Sequence, residues 1–126
     1  MAPQKDGEMQ LVIKETTSDI GVIQVLIFNS ADGFPEDPKK AFKAISLKIS
    51  NSSAKVTIED LPPGKYAISV FHDEDSDGKF RKNGFGMPVD NYGFSNNPTL
   101  YFGPPSFAKC AVSIKDTPVK VEISLR

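Results

Sequence analysis

An acidic stretch near the middle of the chain has the residue types and spacing of a cation-binding loop. Asp73, Asp75 and Asp77 alternate, so their carboxylates can point inward together, and Gly78 permits the sharp bend of such a loop. The backbone carbonyl of Lys79 would supply a further oxygen. The sequence therefore predicts a site for calcium or a similar hard cation, with a structural role.

This acidic stretch departs from an EF-hand in two ways. Its twelfth position, where an EF-hand carries a bidentate Glu, is Gly84, and an apolar strand rather than a helix leads into it. We expect Asp90, Asn83 or Asn91 to complete a different cage. The alternative interpretation is an acidic surface turn that is neutralised by Lys79, Arg81 and Lys82.

His72 is the sole histidine, and it shares strand parity with Ile68 and Val70. That position predicts a partly buried, hydrogen-bonded side chain at a strand end. The alternative is a hydrolase-like enzyme in which His72 exchanges protons beside the carboxylates of Asp73 and Asp75. This alternative requires a concave pocket that holds the imidazole within hydrogen-bond reach of a carboxylate.

The candidate nucleophiles lack a catalytic context. Ser95, Ser106 and Cys110 are the residues to consider, and no nucleophile elbow or comparable local motif surrounds them. Cys110 alternates with Val112 and Ile114, which predicts a small core residue. We therefore predict that the protein is not an enzyme.

Two aromatic segments, 92–97 and 101–107, combine aromatic side chains with glycine and proline, as binding loops often do. One interpretation is a platform for a small apolar ligand or a protein partner. The alternative is a purely structural domain, in which the aromatic side chains fold back, cap an open end of the fold and give the loop its own small core. The predicted contact residues are His72, Tyr92, Phe94, Asn96, Tyr101 and Phe102.

Seven short segments alternate apolar and polar residues with a period of two, as half-buried strands do. This pattern predicts an all-β fold, a seven-stranded antiparallel β-sandwich of Greek-key type. We expect residues 9–126 to form this single domain and residues 1–8 to be a disordered N-terminal segment. The predicted strands cover residues 9–13, 23–27, 45–49, 54–58, 66–70, 110–114 and 119–125.

Two further elements are expected beside the strands. Asp37 as N-cap and Pro38 at the first helical position predict one short helix that runs to Lys43. The segment from 73 to 109 shows no regular alternation, but its aromatic content predicts a long ordered loop rather than disorder. Such a loop in a compact domain is typical of a functional region.

The composition excludes several classes of partner. Fifteen basic against sixteen acidic side chains give a net charge of −1, which argues against nucleic acid as a partner. The single cysteine allows no intrachain disulfide, and no apolar run is long enough for a transmembrane segment. We expect a monomer or a weak homo-oligomer, with an unknown protein or small molecule as its partner.

Several motifs together resemble the bacterial proteins catalogued as domain of unknown function 2141. The resemblance covers nearly the whole chain and implies a secreted or periplasmic protein whose signal peptide precedes the present sequence; a cytoplasmic location is the alternative. Leu-Pro-Pro-Gly-Lys-Tyr is more widely similar to transthyretin-like (prealbumin-like) and carboxypeptidase regulatory-like sandwiches. The resemblance implies no known reaction. The motifs that carry it are residues 28–35, 37–41, 61–66, 68–73, 86–88, 92–97 and 102–107.

Overall fold

The computed structural model describes residues 6–79, 90–100 and 103–126, and it confirms an all-β sandwich. Eight strands and one short helix are formed in these residues, where the periodicity predicts seven strands. The added strand is Tyr92–Phe94. The elements are β1 (Gly7–Lys14), β2 (Val22–Phe28), β3 (Lys43–Lys48), β4 (Ser53–Leu61), β5 (Gly64–Asp73), β6 (Tyr92–Phe94), α1 (Phe107–Cys110), β7 (Val112–Ile114) and β8 (Val119–Ser124).

The strands form two sheets. The three-stranded sheet has the order β4-β1-β8, and the five-stranded sheet has the order β3-β2-β5-β6, with β7 paired to the start of β5. The prediction of a purely antiparallel sandwich is wrong at one ladder, because β1 and β8 run parallel. The intervening strands provide the long crossover that a parallel pair requires. β1 begins at Gly7, two residues before the predicted start.

The core lies between the two sheets and follows from the alternation in sequence. Every second residue of β1 is fully buried, and the intervening residues are half-buried or exposed. β2 and β5 bury their matching sets, so that the inner faces meet over one continuous apolar cluster. Its buried members include Met9, Leu11, Ile13, Ile23, Val25, Ile27, Ile58, Tyr66, Ile68, Val70, Val121 and Ile123.

Two connections join the sheets at opposite margins. Asn51 and Ser52 both have positive φ and form a tight turn between β3 and β4, and the Asp19 carboxylate accepts hydrogen bonds from both of their amides. At the other margin the backbone of Arg126 exchanges two hydrogen bonds with Tyr92 of β6. The Asn97 side chain accepts from the amide of Ser124 and donates to a carbonyl of β8, as a paired strand would.

The helix predicted after Asp37 is wrong. Asp37 does cap a turn, since its carboxylate accepts from the amide of Lys39 at 3.0 Å, but the turn does not propagate. Phe42 donates its amide to the carbonyl of Ile27 at 2.7 Å, which draws the chain into β3 after one turn. The short helix is α1 instead, and it includes Cys110, which the alternation had placed in a strand.

Candidate functional site

Asp73, the first residue of the predicted cation loop, is a buried acceptor for its own turn. Its carboxylate accepts hydrogen bonds from the Gln24 amide at 2.9 Å and from the backbone amides of Gly78 and Asp77 at 2.8 and 3.4 Å. Burial alone would raise the pKa of Asp73, but these hydrogen bonds outweigh it and lower the pKa below its ordinary value. The carboxylate therefore holds the turn together and is tied to β2.

The other predicted cation ligands are not assembled around Asp73. Asp77 accepts from the amide of Lys79 at 2.9 Å, Asp75 is exposed and Asp90 is buried. Among residues 6–79, 90–100 and 103–126, no group of three or more acidic, histidine or cysteine side chains is arranged to hold a metal ion. Asn83, Arg81 and Lys82 lie outside the described residues. The calcium site therefore stays a prediction.

His72 faces the core from β5, as its strand parity predicts. The side chain is 2% exposed, and Nε2 lies 2.8 Å from the carbonyl oxygen of Ile20, to which it donates. Nδ1 is buried and has no hydrogen-bond partner among the described residues. Asp73 follows directly in the strand and points to the opposite face of the sheet. The imidazole and the carboxylate are therefore separated by the sheet itself.

The candidate nucleophiles are occupied by structural contacts. Ser95 is fully buried; its hydroxyl donates to the carbonyl of Cys110 at 2.5 Å and accepts from the amide of Ile68 at 3.0 Å. Ser106 caps α1 by accepting from the amide of Lys109 at 3.3 Å. Burial raises the pKa of the Cys110 thiol to about 11, so the reactive thiolate is scarce near neutral pH.

The described part of the long loop packs on the outer face of the five-stranded sheet. It forms a second apolar cluster there, which we call the outer cluster. Phe34 is at its centre, with ring centroids 5.3 Å from Phe28, 6.3 Å from Phe94 and 6.0 Å from Phe107. The members of the outer cluster are Ala67, Phe94 and Cys110, with the half-buried Phe34, Tyr92, Leu100 and Phe107 packed against them.

Hydrogen bonds fix the outer cluster to the sheet. Ser69 donates its hydroxyl to the carbonyl of Pro35 at 2.6 Å, which ties the segment that carries Phe34 to β5. Asn96 donates its side-chain amide to the carbonyls of Lys109 and Ala111 at 3.1 and 3.0 Å. Asn96, predicted as a ligand contact, thus anchors the end of α1.

An apolar groove of about 260 Å³ lies beside the outer cluster; we call it the outer groove. Its floor is formed by outward-facing residues of β2 and β5, and Pro35 and the residues of β6 form its sides. Register places Leu26 opposite Ser69, and Phe71 opposite Tyr92, so these side chains share one face. The outer groove is lined by Leu26, Pro35, Glu36, Ser69, Val70, Phe71, Tyr92 and Phe94.

Two of the six predicted contact residues, Tyr92 and Phe94, line the outer groove, while His72 and Asn96 do not. Tyr101 and Phe102 lie outside the described residues. Sequence reasoning missed Leu26 and Phe71, although a signal existed. Both are apolar residues at positions that face away from the core. Apolar residues at such positions indicate that the outer face of the sheet is covered by another part of the chain or binds a ligand or partner.

A family model described as "Uncharacterized protein conserved in bacteria (DUF2141)" matches residues 11–122 of the chain. This match begins within β1, ends within β8 and includes every residue that lines the outer groove. Comparisons with curated proteins and with solved structures found no match. The longest helix of the described residues has four residues, so none of their helices could cross a membrane. The chain belongs to the DUF2141 family of bacterial proteins.

Proposed function

We propose that this protein is a non-enzymatic binding module of the bacterial periplasm or exterior, and that its outer groove holds a small apolar ligand. The observation that carries this proposal is the groove itself. Leu26, Phe71 and Tyr92 stay partly exposed on ordered strands, next to an outer cluster that holds the groove wall in place. A preformed, mostly apolar concavity on a rigid sheet is the usual setting of a small-molecule site.

The size and walls of the outer groove favour a molecule of one or two aromatic rings. Its volume of about 260 Å³ is just below the roughly 300 Å³ at which drug-sized sites begin, and an apolar cavity of about 150 Å³ suffices for benzene. Tyr92 and Phe94 are tilted 65° to each other, so they present both ring edges and ring faces. The Ser69 proton is already donated to Pro35, so the Ser69 hydroxyl has no proton to offer a ligand, and Glu36 is the one charged residue of the lining.

The contacts of the candidate catalytic groups support a non-enzymatic role. A nucleophile needs an adjacent base, and the Ser95 hydroxyl donates to a backbone carbonyl instead. A general base needs access to substrate, and His72 is 2% exposed and bonded to the Ile20 carbonyl. A hydrolase-like role for His72 with neighbouring carboxylates would require both groups on one face of β5.

The test uses prodan, an uncharged naphthalene probe with two aromatic rings whose fluorescence shifts to the blue in apolar surroundings. We expect saturable binding to the wild-type protein and about tenfold weaker binding to Phe71→Ala, because the substitution removes a ring from the groove floor. Phe42→Ala is the matched control, since Phe42 is an exposed phenylalanine, 43% accessible, that packs on Tyr66 away from the groove.

The position of the probe is checked by amide shifts in a two-dimensional NMR spectrum of the labelled protein. Shifts that cluster on β2, β5 and β6 support the proposal. Absence of saturable binding, or equal weakening by Phe71→Ala and Phe42→Ala, overturns it. In that case a purely structural domain, with its aromatic side chains folded back onto the sandwich, is favoured.

We also propose that the predicted calcium site has a structural role in this module. Its support is the acidic sequence pattern, together with the ordered turn that Asp73 and Asp77 form. A cation bound to the native state would raise the melting temperature by mass action. A rise in millimolar calcium that a chelator reverses would support the site, and an unchanged melting temperature would count against it.

We further infer a kinship with transthyretin-like and carboxypeptidase regulatory-like sandwiches. The support is the proline-glycine turn that leads into β5, where the Tyr66 hydroxyl donates to the carbonyl of Pro62 at 2.6 Å and so closes the turn. An experimental structure superposed on those domains would test the kinship, and a mismatch in strand order would refute it.

A further inference from the structure

The β4 strand is an edge of the three-stranded sheet. Within the described residues its only strand partner is β1, so beyond the hairpin contact at Ser53 its other margin carries backbone donors and acceptors that no strand pairs. The far edge of the same sheet is different, because the Asn97 side chain covers β8. An uncovered edge strand is a template for pairing with another chain.

The exposed charges of β4 differ from those of β8 in the same sheet. Lys55 and Glu59 are exposed, and neither forms an ion pair with a described residue. Across the same sheet, Lys14 and Lys120 both pair with Glu122, at 2.8 and 3.0 Å. On the β1 side, Lys55 faces the apolar Val12, which offers it no countercharge.

The spacing of these charges is self-complementary. In an antiparallel pair of two β4 strands with a two-fold axis at Thr57, Lys55 of each copy lies opposite Glu59 of the other. In this register, opposing residues are both odd-numbered or both even-numbered. Because side chains alternate along a strand, the core-facing residues of both copies then lie on the same face of the joined sheet. A register centred on Lys55 would instead place two lysines together. β3, an edge strand of the other sheet, begins and ends with lysine, which discourages pairing there.

We propose that two copies of this protein associate through their β4 strands, antiparallel about Thr57, and so form a continuous six-stranded sheet. Two Lys55–Glu59 ion pairs across the interface fix the register. The bulge where β4 meets Gly7 and Met9 of β1 ends the regular part of the strand near Glu59, which limits the length that can pair. The contact is therefore small, and the dimer belongs to the weak, transient class of interfaces.

The test measures the monomer–dimer equilibrium by sedimentation over a range of protein concentrations at low salt. Lys55→Glu and Glu59→Lys should each weaken the dimer about tenfold, because each replaces two attractive cross-strand pairs by two repulsive ones. An equimolar mixture of these two variants should dimerise again, since both interfacial pairs are then of opposite charge. The double variant Lys55→Glu with Glu59→Lys should also dimerise.

Lys39→Glu is the control for net charge, because it makes the same charge change in an exposed loop. It should leave the equilibrium unchanged, and salt should weaken the wild-type dimer. A wild-type protein that stays monomeric at millimolar concentration overturns the proposal. So does a dimer that is unaffected by the two single substitutions, or whose mixed variants fail to associate. The outer groove lies on the other sheet, so these outcomes are independent of ligand binding.

Discussion

Replacing Ser95 by alanine should destabilise the protein strongly, although Ser95 belongs to no core strand. The hydroxyl serves two buried backbone groups at once: it accepts from the amide of Ile68 at 3.0 Å and donates to the carbonyl of Cys110 at 2.5 Å. Ser95, Ile68 and Cys110 are all fully buried, so water cannot replace the lost bonds without rearrangement. Each buried group left unsatisfied costs about 1–3 kcal/mol. We therefore expect Ser95→Ala to lower the free energy of unfolding by about 2–4 kcal/mol.

Equilibrium unfolding in urea, followed by circular dichroism, measures this loss. With a slope of about 2 kcal/mol/M, the midpoint should fall by about 1–2 M while the slope stays constant. Ser106→Ala is the matched control, because Ser106 caps α1 from an exposed position through a single bond at 3.3 Å. Ser106→Ala should lower the free energy of unfolding by only about 0.5–1 kcal/mol. A loss below about 0.5 kcal/mol for Ser95→Ala would refute the assignment of Ser95 as a structural bridge.

Two further predictions concern titratable groups. Because the folded-state pKa of Asp73 is lowered, its carboxylate stabilises the fold above the unfolded-state pKa, and this stabilisation is lost as pH falls through the folded pKa. Asp73→Asn should therefore be less stable than wild type at pH 7 and lose less stability between pH 5 and 2 in thermal melts; parallel pH profiles would contradict this. The Cys110 thiol, with its pKa raised to about 11, should resist Ellman's reagent in the native protein at pH 8 and react once guanidinium unfolds it. Rapid native labelling would show that the thiol is accessible.

The strands that alternation predicts are those whose two faces meet different surroundings. β1 is the clearest, with Met9, Leu11 and Ile13 inside and polar or half-buried residues between them. The turn at Asn51 and Ser52 was also predictable, since asparagine and serine between two alternating segments are typical of a tight turn, and both residues adopt positive φ in the structure. Local preference and global packing agree at these positions, so the sequence alone suffices.

The elements that escaped prediction depend on contacts from distant parts of the chain. β6 has three residues, and its core-facing position is Gly93, where a Cβ would lie 2.6 Å from the Ile123 side chain. A glycine that packs against β8 leaves no alternation to detect. α1 is equally short, and it is held by Ser95 and Asn96, which bind its terminal carbonyls. Neither element has enough local signal to be found in sequence.

The acidic pattern after His72 shows why spacing alone leaves two interpretations open. Asp and Asn are frequent in tight turns because their oxygens accept backbone amides, and the same oxygens coordinate hard cations. In the structure Asp73 and Asp77 accept hydrogen bonds from the backbone amides of Gly78 and Lys79, as the acidic residues of a tight turn do. The sequence pattern is the same for a tight turn and for a cation site, so it cannot distinguish the two. A structure can, because only a cation site requires several carboxylates to point at one position.

The outer groove and the closure of the sandwich depend on the same three residues of β6. Gly93 faces inward against β8, while Tyr92 and Phe94 face outward into the groove and the outer cluster. On the side away from β5, the backbone of Tyr92 is hydrogen-bonded to the backbone of Arg126. A ligand in contact with Tyr92 would therefore bind to a residue that is held by hydrogen bonds to β5 of one sheet and to the chain that follows β8 of the other. This anchoring favours a preformed site, because the ordering of the groove wall is completed by folding and costs the ligand nothing further.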